Sequence, residues 1–86
     1  MRMYVISDNN DTLAGMRLSG VDGVVLHERD EVTAELDRLF TDSSIGVILI
    51  TSKLRALAGD HIDELRRKSQ MPLILDIPDR HGERKE

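Results

Sequence analysis

The chain has no cysteine and no tryptophan, and only one tyrosine, one phenylalanine and two prolines. Without cysteine there is no disulfide, no thiolate nucleophile and no cysteine-based metal site. With two aromatic rings in all, the stacking platforms that bind single-stranded nucleic acid cannot be built. Basic residues are outnumbered, 12 against 16 acidic, for a formal net charge of −4. That balance gives no support for binding nucleic acid or an anionic membrane. No apolar stretch approaches the roughly 20 residues of a membrane helix. The N-terminus, MRMYVIS, lacks the apolar region of a signal peptide and runs straight into a strand. The expectation is a soluble, cytoplasmic protein. At 86 residues it has room for one core.

What the chain does have is a seven-residue run, Ile45–Thr51 (IGVILIT), with no polar alternation. A strand that is wet on one side alternates polar and apolar residues. One that does not belongs at the centre of a sheet covered on both faces. Leu73–Ile77 has nearly the same character, and Met3–Ser7 and Val24–Leu26 are shorter apolar strands. Helices fall between them. Asp11 or Asn10 is placed to cap the first, which ends near Gly20. The clearest is Asp30–Phe40: Val32, Leu36, Leu39 and Phe40 share one face and Asp30 is placed as N-cap. Thr51 and Ser52 can cap a helix over Ser52–Ser69. Gly59 interrupts that helix at a cost of about 1 kcal/mol relative to alanine, marking where a kink or break would fall. The order β-α-β-α-β-α-β with right-handed crossovers predicts a three-layer α/β/α domain over residues 1–78. Its four-stranded parallel sheet should have the order 2-1-3-4, a shortened flavodoxin- or receiver-like sheet. Residues 79–86 (DRHGERKE) have no apolar residue and form a polar tail.

The crevice of such a sheet lies at the C-terminal ends of its strands. That edge carries Ser7, Asp8, Asn9, Asn10, Asp11, Thr51, Ser52, Pro78 and Asp79. Asp8 and Asp11 suggest a Mg²⁺ carboxylate pair of the receiver kind. A receiver also needs an aspartate ending its third strand, where this chain has Thr51. The commoner role of such a loop is a turn with a helix cap. Ser7–Gly15 has neither the P-loop nor the GxGxxG spacing. His27, His61 and His81 lie on three separate elements without metal-ligand spacing. Ser7 and Thr51 have no evident histidine and acid partners. No catalytic, cofactor or metal residue is assigned. For a protein partner, the candidates are Pro78, Asp79 and Arg80 where the chain leaves the sheet, with Arg66 and Arg67 at a helix end. The commoner role of that basic cluster is to complement the helix dipole.

Three stretches carry a family resemblance. Ser7–Gly20 (SDNNDTLAGMRLSG) resembles the "GD.DTV.GFRLAG" opening of the F subunit of the V-type and archaeal-type (A-type) ATPases. Ser43–Leu54 (SSIGVILITSKL) is similar to its "DIGVILITE" strand, and Met71–Gly82 (MPLILDIPDRHG) to its "LPIILEIPD..G" strand and hinge. The resemblance implies a four-stranded α/β domain of the central rotor stalk, without catalytic residues or cofactor. It would bind the coiled-coil D subunit, turn with it inside the catalytic hexamer, and lie peripheral to the membrane without inserting into it. Ser7 and Met16 stand where the pattern has Gly and Phe. Family members continue beyond the fourth strand through a linker into a C-terminal helix. This chain stops at Glu86, where that segment would begin, so nothing about that helix is carried over. The alternative is a receiver-like or small-ligand-binding signalling domain.

Overall fold

The Ile45–Thr51 strand lies inside the sheet, hydrogen-bonded on both sides, as its unbroken apolar run predicts. The structure, a computed structural model, describes residues 1–78. The elements are β1 (Arg2–Ser7), α1 (Asn10–Leu18), β2 (Asp22–Val25), α2 (Arg29–Phe40), β3 (Ile45–Thr51), α3 (Ser52–Leu57), α4 (Gly59–Lys68) and β4 (Leu73–Ile77). All strand pairs are parallel and the order is β2-β1-β3-β4, the expected topology.

Ile48 and Ile50 of β3 point to one face, with Ile6 of β1 and Ile74 of β4. Val32, Leu36 and Leu39 of α2 and Leu54 and Ile62 of α3 and α4 pack over them. Three helices therefore share this face. Among the described residues the other face carries only α1, seated on β1 and β2 through Leu13. The expected burial of β3 on both faces is met on one. On the other, Val47 and Leu49 are only half-buried, because among the described residues no helix lies over β3 and β4 there. Leu73 and Leu75 of β4 are 53% and 49% exposed.

The helix ends differ from expectation by one or two residues. Asn9, not Asn10 or Asp11, caps α1: its Oδ1 accepts from the Thr12 amide at 2.7 Å. The first turn of α2 begins before Asp30. Glu31 reaches back so that its carboxylate accepts from the amides of Glu28 (3.2 Å) and His27 (3.3 Å), which makes Glu28 the N-cap. The third helix is broken. Ala58, fully buried at φ −115° and ψ 23°, leaves the helical region between α3 and α4, one residue before Gly59. Gly20 ends α1 as expected, at φ +87°, with its amide donating to Arg17 O. Gly23 is required by the β1–β2 pairing: a Cβ there would lie 2.1 Å from Val5 Cγ1.

Ile48 has no exposed surface. Ile48→Asp would bury an unpaired charge, which costs several kcal/mol. A domain of this size has a total stability of the same order. The variant should show the circular dichroism of an unfolded chain; a folded, soluble Ile48→Asp protein would mean that β3 is not central.

Candidate functional site

The C-terminal edge of the sheet is built from local turns. Ser7 is fully buried at the end of β1. Its Oγ donates to Asn9 O at 2.7 Å and accepts from the Asn9 amide at 3.0 Å. Asp8 Oδ1 accepts from Asn9 Nδ2 at 3.4 Å. With the Asn9 cap, Ser7–Thr12 is a turn followed by a helix start. The backbone of this turn is held by Ser7 and Asn9, and Asp8 meets the Asn9 side chain. Among the described residues no three His, Asp or Glu side chains gather to hold a metal.

Thr51 ends β3 fully buried. The expected cap does not form there: its hydroxyl makes no bond to the α3 amides, and Oγ1 has no hydrogen-bond partner. The neighbouring hydroxyl is used differently too. Ser52 Oγ donates to Ile77 O at 3.2 Å, tying the start of α3 to the end of β4. Among the described residues neither Ser7 nor Thr51 is paired with a histidine. Between the ends of β1 and β3 lies a hollow of about 330 Å³ lined by Asp8, His27, Lys53, Leu54 and Leu57. Sequence reading placed Asp8 on this edge but not His27 or Lys53. His27 follows β2 and Lys53 opens α3, and only the crossovers bring them to one hollow. His61 is part of the scaffold, with Nε2 at 2.7 Å from Asp37 Oδ1 of α2.

The partner-binding candidates are not one cluster. Pro78 is exposed at the end of β4. Asp79, Arg80 and His81 lie outside the described residues. Arg66 Nη2 donates to Ile74 O at 3.0 Å and so covers a carbonyl of the edge strand. That bond lies four residues before Pro78, about 13 Å along an extended strand. Arg67 is exposed on the last turn of α4. The cation that reaches the far part of β4 is Arg55, whose Nε donates to Asp76 Oδ1 at 3.1 Å. Sequence reading missed it because nothing local to Arg55 shows that α3 lies beside β4.

Two outcomes follow from this edge. Thr51→Val removes a buried hydroxyl that has no partner while keeping its shape. Stability in urea should rise by about 1 kcal/mol; a fall of that size would show that the hydroxyl is bonded. Incubation with acetyl phosphate and Mg²⁺ should leave the mass of the protein unchanged, since Thr51 stands at the receiver's phosphorylation position. A stable gain of one phosphate, lost in Asp8→Ala, would favour the signalling reading.

Among the described residues, no helix is long and apolar enough to cross a membrane. Residues 3–86 match the family described as ATP synthase (F/14-kDa) subunit. The chain is similar to the A-type ATP synthase F subunit of Methanothermobacter thermautotrophicus, with 34% identity over 79 residues that cover 91% of this chain and 73% of that protein. It is similar to the A-type ATP synthase F subunit of Pyrococcus abyssi, with 33% identity over 87 aligned positions that cover 95% and 79%. A third relative, from Methanococcus maripaludis, is 26% identical over 83 residues and carries the same name. A non-catalytic subunit of a larger enzyme accords with a sequence that holds no catalytic set. On a match that spans both the strand edge and the core, the chain belongs to the ATP synthase (F/14-kDa) subunit family.

Proposed function

We propose that this domain is a non-catalytic subunit of the central rotor stalk of an A-type ATP synthase. It docks on the coiled-coil D subunit, turns with it inside the catalytic hexamer, and supports the coupling of ATP chemistry to ion transport. It sits on the cytoplasmic side, peripheral to the membrane. The observation that carries the reading is the match to the F subunit over nearly the whole chain.

Part of the docking surface is the point where the chain leaves the sheet, centred on Pro78, Asp79 and Arg80. Pro78 sets the exit direction through its fixed φ. The segment after it mixes both charge signs without apolar residues, which suits pairing with a charged helical stalk. Arg67 adds an exposed cation from α4. Arg66 contributes indirectly, by holding the edge of β4 in place.

Calorimetric titration against the D subunit of the same complex tests this. Arg80→Glu should weaken binding by about 1 kcal/mol, roughly fivefold. A chain ending at Ile77 should bind more weakly still, and added salt should reduce the difference. Equal affinity for all three chains would place the contact away from the exit segment.

A further inference from the structure

We propose that the hollow at the C-terminal edge of the sheet binds a small zwitterion of the amino-acid type, a site that goes beyond the stalk reading and does not depend on it. The chain leaves β1 through α1 on one face and leaves β3 through α3 on the other. Where successive connections part in this way, the strand ends keep a crevice between them, and ligands of open α/β sheets bind there. In this sheet the crevice falls between the ends of β1 and β3, where the hollow of about 330 Å³ lies. Three separate connections line it: Asp8 follows β1, His27 follows β2, and Lys53, Leu54 and Leu57 belong to α3.

The backbone under each polar group is held. Ser7 Oγ braces the turn that presents Asp8, donating to Asn9 O at 2.7 Å and accepting from the Asn9 amide at 3.0 Å. The Leu26 amide donates to Ser7 O at 2.9 Å and the His27 amide to Glu31 Oε1 at 3.3 Å, which fixes the exit from β2 beside the exit from β1. Leu54, 1% exposed, anchors the first turn of α3 in the core next to Lys53. The polar side chains themselves have little to do in the fold. Among the described residues the Lys53 ammonium and the His27 ring make no hydrogen bond or ion pair, and Asp8 takes one long bond, 3.4 Å, from Asn9 Nδ2. Asp8 and Lys53 therefore set opposite charges around one hollow without closing it as an ion pair. Leu57, 41% exposed, adds an apolar wall. Apolar side chains with a few convergent polar groups on fixed backbone are the usual lining of a small-ligand site.

The lining sets the ligand. Lys53 brings an ammonium group, and the His27 ring has an N–H to donate in either protonation state, so the two suit a carboxylate. A carboxylate such as Asp8 only accepts, and suits an ammonium group. A simple anion gains Lys53 but is opposed by Asp8, and a simple cation meets the reverse. A molecule with both charges satisfies both ends at once. Leu54 and Leu57 offer surface to a short aliphatic group. A hollow of about 330 Å³ is the liquid share of about eleven water molecules, room for roughly ten non-hydrogen atoms. An aliphatic α-amino acid has that size, and a nucleotide exceeds it.

The test is an amide-resolved NMR titration of the full chain with three probes. L-Leucine carries both charges, isocaproate is the same skeleton without the ammonium group, and isoamylamine is the skeleton without the carboxylate. L-Leucine should give saturable shifts at Asp8, His27, Lys53 and Leu57 with a Kd below about 1 mM. Each half-molecule should bind at least tenfold more weakly. Lys53→Met and Asp8→Asn should each weaken L-leucine binding at least tenfold, with circular dichroism melts as the check on folding. Lys53→Met changes an exposed side chain and carries the test if Asp8→Asn disturbs the turn. No saturable shift with L-leucine, or undiminished binding by folded Lys53→Met, would overturn the site. Isocaproate or isoamylamine binding as tightly as L-leucine would reduce the hollow to a site for one charge and overturn the assignment. None of these outcomes bears on the stalk reading, which the titration against the D subunit decides separately.

Discussion

Burial of β3 is the constraint on which the rest of this domain depends. Its backbone pairs with β1 on one side and β4 on the other. Its core face, Ile48 and Ile50, is the floor on which α2, α3 and α4 rest. Fully burying each such side chain stabilises by about 1.5–3 kcal/mol, a large share of what a domain of this size has in total. Were β3 displaced, both neighbouring strands would lose hydrogen bonds and three helices would lose their support.

The crossovers then distribute the helices unequally. Every connection that moves the chain in one direction across the sheet lays its helix on the same face, because the crossover hand is fixed. The steps from β2 to β3 and from β3 to β4 run one way and fill one face with α2, α3 and α4. Only the step from β1 to β2 runs the other way, and it places α1 on the second face. Among the described residues the result is a sheet with half of one face left without a helix and with β2 and β4 as its two edge strands.

Charge contributes orientation more than stability. Arg29 Nη2 donates to both carboxylate oxygens of Asp60 at 2.9 Å, and Asp37 meets His61, so α2 and α4 are tied together at their surfaces. Exposed pairs of this kind add little each. Arg38 holds Glu35 bidentately and sits 5.6 Å from the centre of the Tyr4 ring. That guanidinium keeps the Glu35 carboxyl below the ordinary range. A lowered folded-state pKa stabilises the fold above the unfolded value and is lost as pH falls through the folded one, so this pair weakens only on acidification.

Much of the fold was legible in the residues because its determinants are local. The apolar run of β3, the stripe of Val32, Leu36 and Leu39 and the left-handed turn at Gly20 follow from periodicity and backbone preference. Together with the crossover rule they predict the sheet order. The helix caps were legible only to within a residue or two, since a cap depends on which side chain reaches which amide, as Asn9 and Glu31 show. The candidate site was much less legible. Whether Thr51 caps a helix, whether Arg55 or Arg66 meets β4 and at which point, and whether Leu73 and Leu75 face a helix or water are all decided by distant segments. A side chain carries its chemistry in the sequence; its surroundings exist only once the strands are in register and each crossover has chosen its face.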